Sequence, residues 1–200
     1  MTVRERRERE RASRRQLIID TARQLAEDEG WGAVTSRRLA DCIEYSQPVL
    51  YSHFPSMEAI VQAVAVQGFA DLAEGLRAAR GGADRPEERL RAVAHAYVDF
   101  GLRQRALYDA MFVRTTDLAF GSAETPEPLR RAFGELRSVV AELAGEDDAE
   151  SDTEVFWAAL HGLVTLARSQ RLRTDAQGLH LGVLLDRFTR LWDPRTAPAG

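Results

Sequence analysis

Residues 46–54 read SQPVLYSHF, a stretch too short for an independent helix and too apolar for an ordinary surface loop. Ser46 belongs to the residue types that cap helix N-termini, and a proline at position 48 does no harm where helical N–H groups have no partner. Leu50 and Phe54 are four residues apart, so they share one face of a helix. The pattern predicts a short helix that buries these two side chains and turns the residues between them elsewhere.

Two helical patterns precede this segment. An apolar stripe at helical spacing predicts a first helix over about 13–29 and consists of Ile18, Ala22, Leu25 and Ala26. Gly30 follows it, where a helix C-cap is expected. Thr35 can cap a second short helix from Ser36, whose inward side chains are Leu39, Ala40 and Ile43. Two short helices joined by about three residues and packed on a longer one predict a helix-turn-helix.

The remaining sequence is also helical in pattern, with breaks rich in Gly, Pro, Asp or Ser. Ser56 can cap a fourth helix that runs towards Arg80, with Glu58 in its first turn. Further helices are expected at about 87–103, 106–114, 127–144, 152–171 and 177–192. The predicted fold is all-α with about nine helices. We expect a helix-turn-helix domain in 1–55, a second helical domain in 56–192, and a flexible tail in 193–200.

Composition favours a soluble protein of the cytoplasm. The 200 residues are 44% hydrophobic and 29% charged, as in ordinary globular proteins. Cys42 is the single cysteine, which excludes an intrachain disulfide and suits a reducing compartment. The N-terminus has no apolar segment of a secretory signal. The longest apolar-rich stretch, from Val155, is broken by His161 and is too short to span a membrane. We expect no membrane partner, no metal and no cofactor.

The basic residues are concentrated at the N-terminus. The whole chain has a net charge of −4, whereas residues 1–15 hold seven arginines and three glutamates, a net charge of +4. A basic segment on an acidic chain can attract a polyanion. It can also be a solvated, frayed tail with Arg–Glu pairs. Charge alone favours this second interpretation.

The order of these elements resembles a known family. TSRRLADCIEYSQPVLYSHFPSMEAI (35–60) is similar to the DNA-binding region of the TetR (tetracycline-repressor-like) transcriptional regulators, and the likeness covers roughly 13–70. Its signature is a small residue, Ala40, followed by Leu-Tyr-x-His-Phe. The chain departs from the family at the turn, where Glu44 and Tyr45 replace a glycine and an aliphatic residue. It also has Met57 where a phosphate-binding lysine is frequent.

The resemblance implies that the helix of Leu50 reads the DNA major groove, which distinguishes all four base pairs. Gln47 would pair with adenine, Pro48 and Val49 would contact a thymine methyl group, and Arg37 would reach a guanine or a phosphate. Arg38 is either a phosphate clamp or a solvated side chain. The arm at 4–15 would enter the minor groove or raise affinity electrostatically. The residues assigned to DNA are Ser36, Arg37, Arg38, Ser46, Gln47, Pro48, Val49, Tyr51, Ser52 and His53.

Several of these residues are assigned to phosphates, which fix the register of a protein on DNA without reading sequence. They include Ser36, Tyr51 and His53. A packed or capping histidine is the other interpretation of His53, and the surrounding motif favours the phosphate contact. The family dimerises, which places two recognition helices one turn of DNA apart, ~34–36 Å. The expected partner is therefore double-stranded DNA with an inverted-repeat operator.

The resemblance implies that the helical domain in 56–192 is a ligand-binding and dimerisation domain, which gives two weaker predictions. VFWAALHGLVTLARSQRL (155–172) resembles a TetR C-terminal subtype with a Trp-x-x-x-His-Gly pattern, here at Trp157, His161 and Gly162. Paired helices from two subunits would form a four-helix bundle, unless their faces only close the core of one subunit. The interface residues predicted are Ala158, Gly162, Leu181, Leu184, Leu185 and Phe188.

A ligand pocket is the second prediction. Such sites are mostly apolar with a few polar anchors, and the candidate residues are Tyr97, Phe100, Tyr108, Met111, Phe112, Phe156, Trp157 and His161. Each could also be plain core, and only the cluster favours a pocket. Tyr97 and His161 are the candidates to orient an apolar or aromatic effector.

The sequence therefore predicts a regulator, most naturally a repressor, that a small apolar ligand releases from DNA. One alternative is a TetR-like DNA-binding protein with a structural or cell-division role and no inducer. An enzyme is the other alternative, with His95, Asp99 and His161 as acid–base groups. The chain lacks a nucleophile motif, a phosphate-binding glycine loop and a metal motif, so we do not expect an enzyme.

Overall fold

The computed structural model describes residues 2–114, 116–147, 149–173 and 177–192. Of residue 177 it describes the backbone but not the side chain. These residues form nine α-helices and no strand, so the all-α prediction is confirmed. The helices are α1 (Val3–Glu29), α2 (Ser36–Cys42), α3 (Gln47–His53), α4 (Met57–Gly81), α5 (Pro86–Arg103), α6 (Arg105–Phe112), α7 (Glu127–Ala144), α8 (Ala149–Arg168) and α9 (Gln177–Leu191). A short 3-10 helix lies at Trp31–Ala33. The tail predicted at 193–200 lies outside the described residues.

The first helix is longer than the sequence pattern predicted, because α1 begins at Val3 and not near residue 13. Thr2 Oγ1 accepts a hydrogen bond from the Glu5 backbone N–H at 3.2 Å, and the Glu5 carboxylate accepts one from Thr2 N–H at 2.8 Å. This reciprocal pair is a capping box, which satisfies two backbone donors at the helix start. The Arg-rich segment is therefore a helical arm and not a frayed tail.

The chain divides into two compact units. The first contains Met1–Gly68 and Gln104–Pro126, and the second contains Phe69–Arg103 and Glu127–Gly200. Helix α4 contributes its first half to one unit and its second half to the other. The domain boundary expected at residues 55 and 56 stays a prediction about function.

The core of the first unit forms where α1 packs against α2, α3 and α6. Side chains from three helices are almost wholly inaccessible there: Ile18, Ala22, Leu39, Leu50 and Phe54. The inward faces predicted for α1, α2 and α3 are thereby confirmed. Burial of each large apolar side chain stabilises the unit by about 1.5–3 kcal/mol relative to exposure.

Helix α6 belongs to the first unit, where side chains of α1 and of the 3-10 helix contact its N-terminal turn. The Glu27 carboxylate accepts a hydrogen bond from the Leu107 backbone N–H at 2.9 Å. The Trp31 indole N–H donates to the Ala106 carbonyl at 2.8 Å. Backbone N–H groups at a helix start have no partner within the helix, so the Glu27 contact does what a capping side chain does.

The turn between α2 and α3 has a left-handed residue that is not glycine. Glu44 has φ +56°, its N–H donates to Asp41 O at 3.3 Å, and the Tyr45 N–H donates to Ala40 O at 2.9 Å. These two bonds are those of a Schellman motif, the usual way in which a helix ends at a left-handed residue. The turn thus keeps the geometry that glycine normally provides.

The second unit is built from α5, α7, α8 and α9, with the end of α4. Phe156, Phe188 and Trp192 form an aromatic cluster with ring centroids 5.0–6.1 Å apart. The Trp192 indole N–H donates to the Asp152 carboxylate at 2.7 Å. Helix α8 begins and ends three residues earlier than predicted, and Gln170 adopts φ +56° just beyond its end.

Helix α4 is long and apolar enough to cross a membrane, with a mean hydropathy of 1.2 over its most apolar window. Half of that window is buried within the protein. Ile60, Val64 and Ala65 are almost completely inaccessible. The length and composition of α4 are therefore explained by its position as a core helix of the fold.

Replacing Glu44 by glycine should stabilise the protein. A left-handed L-residue costs about 1–2 kcal/mol, of which glycine's extra freedom in the unfolded chain returns about 0.4–1 kcal/mol. We expect Glu44→Gly to raise the free energy of unfolding by about 0.5–1 kcal/mol in urea titrations. Glu44→Ala is the matched control, because alanine keeps the Cβ that causes the strain. An equal gain in both variants would show that removal of the carboxylate, and not the backbone, is responsible.

Candidate nucleic-acid interface

Helix α3 presents one polar face to solvent and buries the other. Leu50 and Phe54 are 0% and 1% exposed, as the sequence predicted. Tyr51 retains 45% of its accessible surface. The exposed members of the predicted DNA-contacting set on and beside this helix are Ser46, Gln47, Pro48, Tyr51 and Ser52, with Val49 and His53 half-buried.

Backbone hydrogen bonds, and not a side-chain cap, stabilise the start of α3. Ser46 occupies the N-cap position, and its carbonyl accepts hydrogen bonds from the N–H groups of Val49 and Leu50 at 3.0 and 3.2 Å. Its hydroxyl makes no capping bond, so the side-chain cap expected from the sequence does not form. The exposed Ser46 hydroxyl therefore remains at the surface beside the helix start.

Arg15 of α1 fixes the other end of α3. Its Nη1 donates to the His53 carbonyl at 3.0 Å. Its guanidinium carbon lies 3.9 Å from the centroid of the Phe54 ring. A cation is favourable at a helix C-terminus and over an aromatic face. The sequence pattern assigned Arg15 only to the arm; its distance of 38 residues from His53 gave no local signal for this contact.

Ser36 positions Gln47. The Ser36 hydroxyl donates to Gln47 Oε1 at 3.0 Å, which links the first turn of α2 to the first residue of α3. The sequence assigned Ser36 to a DNA phosphate, whereas this bond directs its hydroxyl at the adjacent amide. Gln47 keeps its amide N–H donors and an exposed position, so it can still face a base edge.

The two arginines of α2 differ in their surroundings. Arg37 is exposed. Arg38 donates to both carboxylate oxygens of Glu29 at 2.6 Å each, a partner that the sequence did not indicate, and its contact with a phosphate stays a prediction. The hydrogen bond from Arg38 lowers the pKa of Glu29 and raises that of Arg38. Because both side chains are largely exposed, the pair contributes little to stability.

His53 lies beside the arginines of the helical arm. Its Nδ1 is buried and has no hydrogen-bond partner. Burial lowers the pKa of His53, and the positive charges of Arg11, Arg14 and Arg15 lower it further. The imidazole is therefore neutral at pH 7 in the free protein, with positive charge gathered around it.

The candidate ligand residues of the second unit form a hydrogen-bonded group. The Trp157 indole N–H donates to the Tyr97 hydroxyl at 2.9 Å, and Tyr97 is 1% exposed. The His161 ring centroid lies 6.4 Å from that of Trp157, and His161 Nε2 lies 3.4 Å from Thr165 Oγ1. Burial lowers the pKa of His161, with a smaller effect from Arg168. Phe100 is half-buried and Phe156 is fully buried.

The other predicted pocket residues belong to the first unit. Tyr108 and Met111 are buried on α6, and Phe112 is half-buried with its ring centroid 4.6 Å from that of Tyr108. The predicted pocket as a whole stays a prediction.

Two residues predicted for a dimer interface belong to the core of a single chain. Leu181 and Leu185 are 4% and 0% exposed, so their side chains have no surface left for a second subunit. Gly162, Leu184 and Phe188 are half-buried, and Ala158 is exposed. The sequence pattern identified the apolar face of α9 but could not tell which of its residues α5 and α8 already cover.

Comparison with known proteins adds an independent line of evidence. The family described as "Bacterial regulatory proteins, tetR family" matches residues 18–64, and "Tetracyclin repressor-like, C-terminal domain" matches residues 90–188. The uncharacterized HTH-type regulator Rv0681 of Mycobacterium tuberculosis is 29% identical over 157 residues, covering 76% of this chain and 69% of that protein. The uncharacterized HTH-type regulator YobS of Bacillus subtilis is 29% identical over 105 residues, or 50% of this chain. The match covers 52% of YobS, about half its length.

Solved structures share the architecture. A protein of unknown function from Rhodococcus sp. RHA1 superimposes with a TM-score of 0.76 at 26% identity, over 89% of this chain and 94% of its own. RolR in complex with resorcinol gives a TM-score of 0.63 at 20% identity, over 90% and 89% of the two chains. A TetR variant from Acinetobacter baumannii in complex with minocycline gives 0.62 at 20%, over 88% and 96%. With both family domains matched in their expected order, the chain belongs to the TetR family of bacterial transcriptional regulators.

Proposed function

We propose that the protein is a dimeric, cytoplasmic repressor that binds an inverted-repeat operator and is released from it by a small, largely apolar ligand. The observation that carries the DNA-binding part is the division of α3 into a buried anchor and an exposed polar face. A helix held this way can enter the major groove without losing the contacts that keep it folded.

Base reading is assigned to the first turns of α3. Gln47 can make a bidentate contact with adenine, and Pro48 and Val49 can contact a thymine methyl group. Arg37 reaches a guanine or a phosphate. We assign Tyr51 and the exposed Ser46 hydroxyl to phosphates, which set the register. Ser36 acts through Gln47 by holding its amide.

Dimerisation is supported by apolar residues that the single chain leaves exposed or only half-buried. On α8 they recur at helical spacing as Val155, Ala158, Gly162 and Leu166, and on α9 they are Leu179, Val183 and Leu191. A Cβ added at Gly162 would meet no atom within 4 Å, so another helix has room to approach there. Helices α8 and α9 pack on each other, and two such pairs would make a four-helix bundle.

Ligand release is proposed through the group around Tyr97, Trp157 and His161. An apolar wall with a few polar side chains is the usual composition of a small-molecule site. The same fold holds resorcinol in RolR and minocycline in the Acinetobacter TetR variant. A ligand that prefers the conformation unfavourable for DNA lowers operator affinity by its differential affinity, typically about 1–3 kcal/mol.

Two alternatives make different predictions. A structural or cell-division protein of the same family would bind DNA and show no release by any metabolite, so a compound screen for loss of operator binding separates the two. An enzyme would turn over a tightly bound metabolite. Asp99, one of its candidate acid–base groups, is exposed and pairs with Arg103 at 3.4 Å, an arrangement typical of a solvated helix face.

The DNA assignment is tested by selecting bound sequences from random duplexes. We expect an inverted repeat with half-sites about 10 base pairs apart, centre to centre. Gln47→Ala should weaken binding by roughly 5- to 150-fold for each half-site, the equivalent of ~1–3 kcal/mol for each lost adenine contact, and should relax selection at a single position per half-site. Gln24→Ala, which removes an exposed glutamine from α1, is the control and should bind like wild type. An unchanged base preference in Gln47→Ala would reject its assignment as a base-reading residue.

The dimer is tested by placing a charge on the uncovered face of α9. Val183 is 49% exposed, so Val183→Glu should leave the subunit folded while it places an unpaired carboxylate in the proposed interface. We expect this variant to be monomeric at micromolar concentration by analytical ultracentrifugation, whereas the wild type is dimeric. Val113→Glu makes the same change at a site 66% exposed in the first unit and should remain dimeric. A monomeric wild type would refute the dimer.

A further inference from the structure

A basic cleft lies between the helical arm of α1 and the end of α3. Its volume is about 340 Å³, and its lining residues are Arg7, Glu10, Arg11, Arg14, Ser52 and His53. With His53 neutral, three arginines and one glutamate give these residues a net formal charge of +2. The cleft thus concentrates positive charge in a chain whose net charge is −4.

The arginines of the cleft lie on one face of α1. Positions 7, 11 and 14 are four and three residues apart, the spacing of helical neighbours. Arg7, Arg11 and Arg14 form no ion pair with any residue of the described part of the chain, whereas Glu10 lies 3.9 Å from Arg6. Three guanidinium groups are therefore available to a ligand from solution.

We propose that this cleft holds one backbone phosphate of the DNA that α3 reads. The inference rests on the DNA-binding function proposed above and extends it to a contact made jointly by α1 and α3. Guanidinium groups match the oxygens of a phosphate in a forked geometry. Because Ser52 and His53 follow directly after the exposed residues of α3, a phosphodiester strand flanking the groove is the anion nearest to the cleft when the helix is docked.

The width of the helical arm determines which part of the DNA it can contact. An α-helix with its side chains is about 10–12 Å wide, whereas the minor groove of B-DNA is about 6 Å wide. A helical arm therefore cannot enter the minor groove, which was one of the two roles expected from the sequence. It runs along the phosphate backbone, and the cleft contributes to affinity without reading bases.

His53 makes the affinity of this phosphate contact dependent on pH. The charged groups that face it are Arg7, Glu10, Arg11 and Arg14 from the cleft, with Arg15 at its carbonyl. A phosphate in the cleft offsets these positive charges, so the pKa of His53 is higher in the complex than in the free protein. DNA binding then takes up a proton at His53, and affinity increases as pH falls through the range between the two pKa values.

The salt dependence of binding tests the proposal. Each phosphate contact contributes about 0.9 to the slope of log affinity against log salt. Arg11→Gln/Arg14→Gln should reduce this slope by about 0.9 or more per subunit, equally for the selected operator and for a random duplex of the same length. The control Arg4→Gln/Arg9→Gln removes two charges from exposed positions of the same arm outside the cleft, and its slope should fall less. Circular dichroism checks that both variants retain their helix content.

Ethylation of single phosphates locates the contact. We expect one phosphate per half-site whose ethylation blocks wild-type binding and no longer affects Arg11→Gln/Arg14→Gln. The pH dependence gives a second readout: between about pH 8 and pH 5.5 the affinity of wild type should increase more than that of His53→Gln. Equal slopes in both double variants, an unchanged ethylation pattern or identical pH dependence would each overturn the assignment.

Two further outcomes separate the proposals. If wild type binds no duplex at all, the DNA-binding function fails and the cleft assignment fails with it. If wild type binds DNA and inorganic pyrophosphate alone raises its melting temperature, but not that of Arg11→Gln/Arg14→Gln, while the salt slopes agree, the cleft serves a free phosphate ligand. That result would reject the backbone contact and leave the DNA-binding function standing.

Discussion

Seven residues are too few to form a stable helix in water, since isolated helices shorter than about 12–15 residues are marginal. Helix α3 therefore depends on what holds it to α1. Leu50 and Phe54 supply the apolar anchor, and Arg15 satisfies the last turn through the His53 carbonyl while covering the Phe54 ring. Every exposed position on α3 is defined by this anchoring, because rotation of so short a helix would expose Leu50 and bury a polar side chain.

The anchoring of α3 on α1 also gives a reason for the concentration of positive charge at the N-terminus. A net negative chain is repelled by DNA as a whole, so its attraction must come from local groups within the screening length of about 8–10 Å. Residues 1–15 carry a net charge of +4, and residues 3–15 belong to α1, which begins after the capping box at Thr2. Because α1 also anchors α3, the basic arm is held in a fixed position relative to the recognition helix.

The sequence predicted those features of the fold that depend on residues close together in the chain. Caps, apolar spacing and the Leu-Tyr-x-His-Phe signature placed α2 and α3 within a residue or two, because those signals act over one or two turns. The contacts of Arg15 with His53 and of Arg38 with Glu29 join residues 38 and 9 positions apart, and the sequence carried no sign of either. The start of α1 was predictable from Thr2 and Glu5, whose spacing is that of a capping box, but the density of charge suggested a frayed tail.

Met57 stands where many members of the family have a lysine for a phosphate, and its thioether cannot donate a hydrogen bond. The cleft of the arm offers guanidinium groups beside the same recognition helix, from α1 in place of α4. On the proposals above, α3 would read bases with Gln47, and the arm of α1 would supply affinity that depends on salt and not on sequence. A recognition helix with few base contacts would dissociate from DNA more slowly because of the arm. Its sequence specificity would still come from α3.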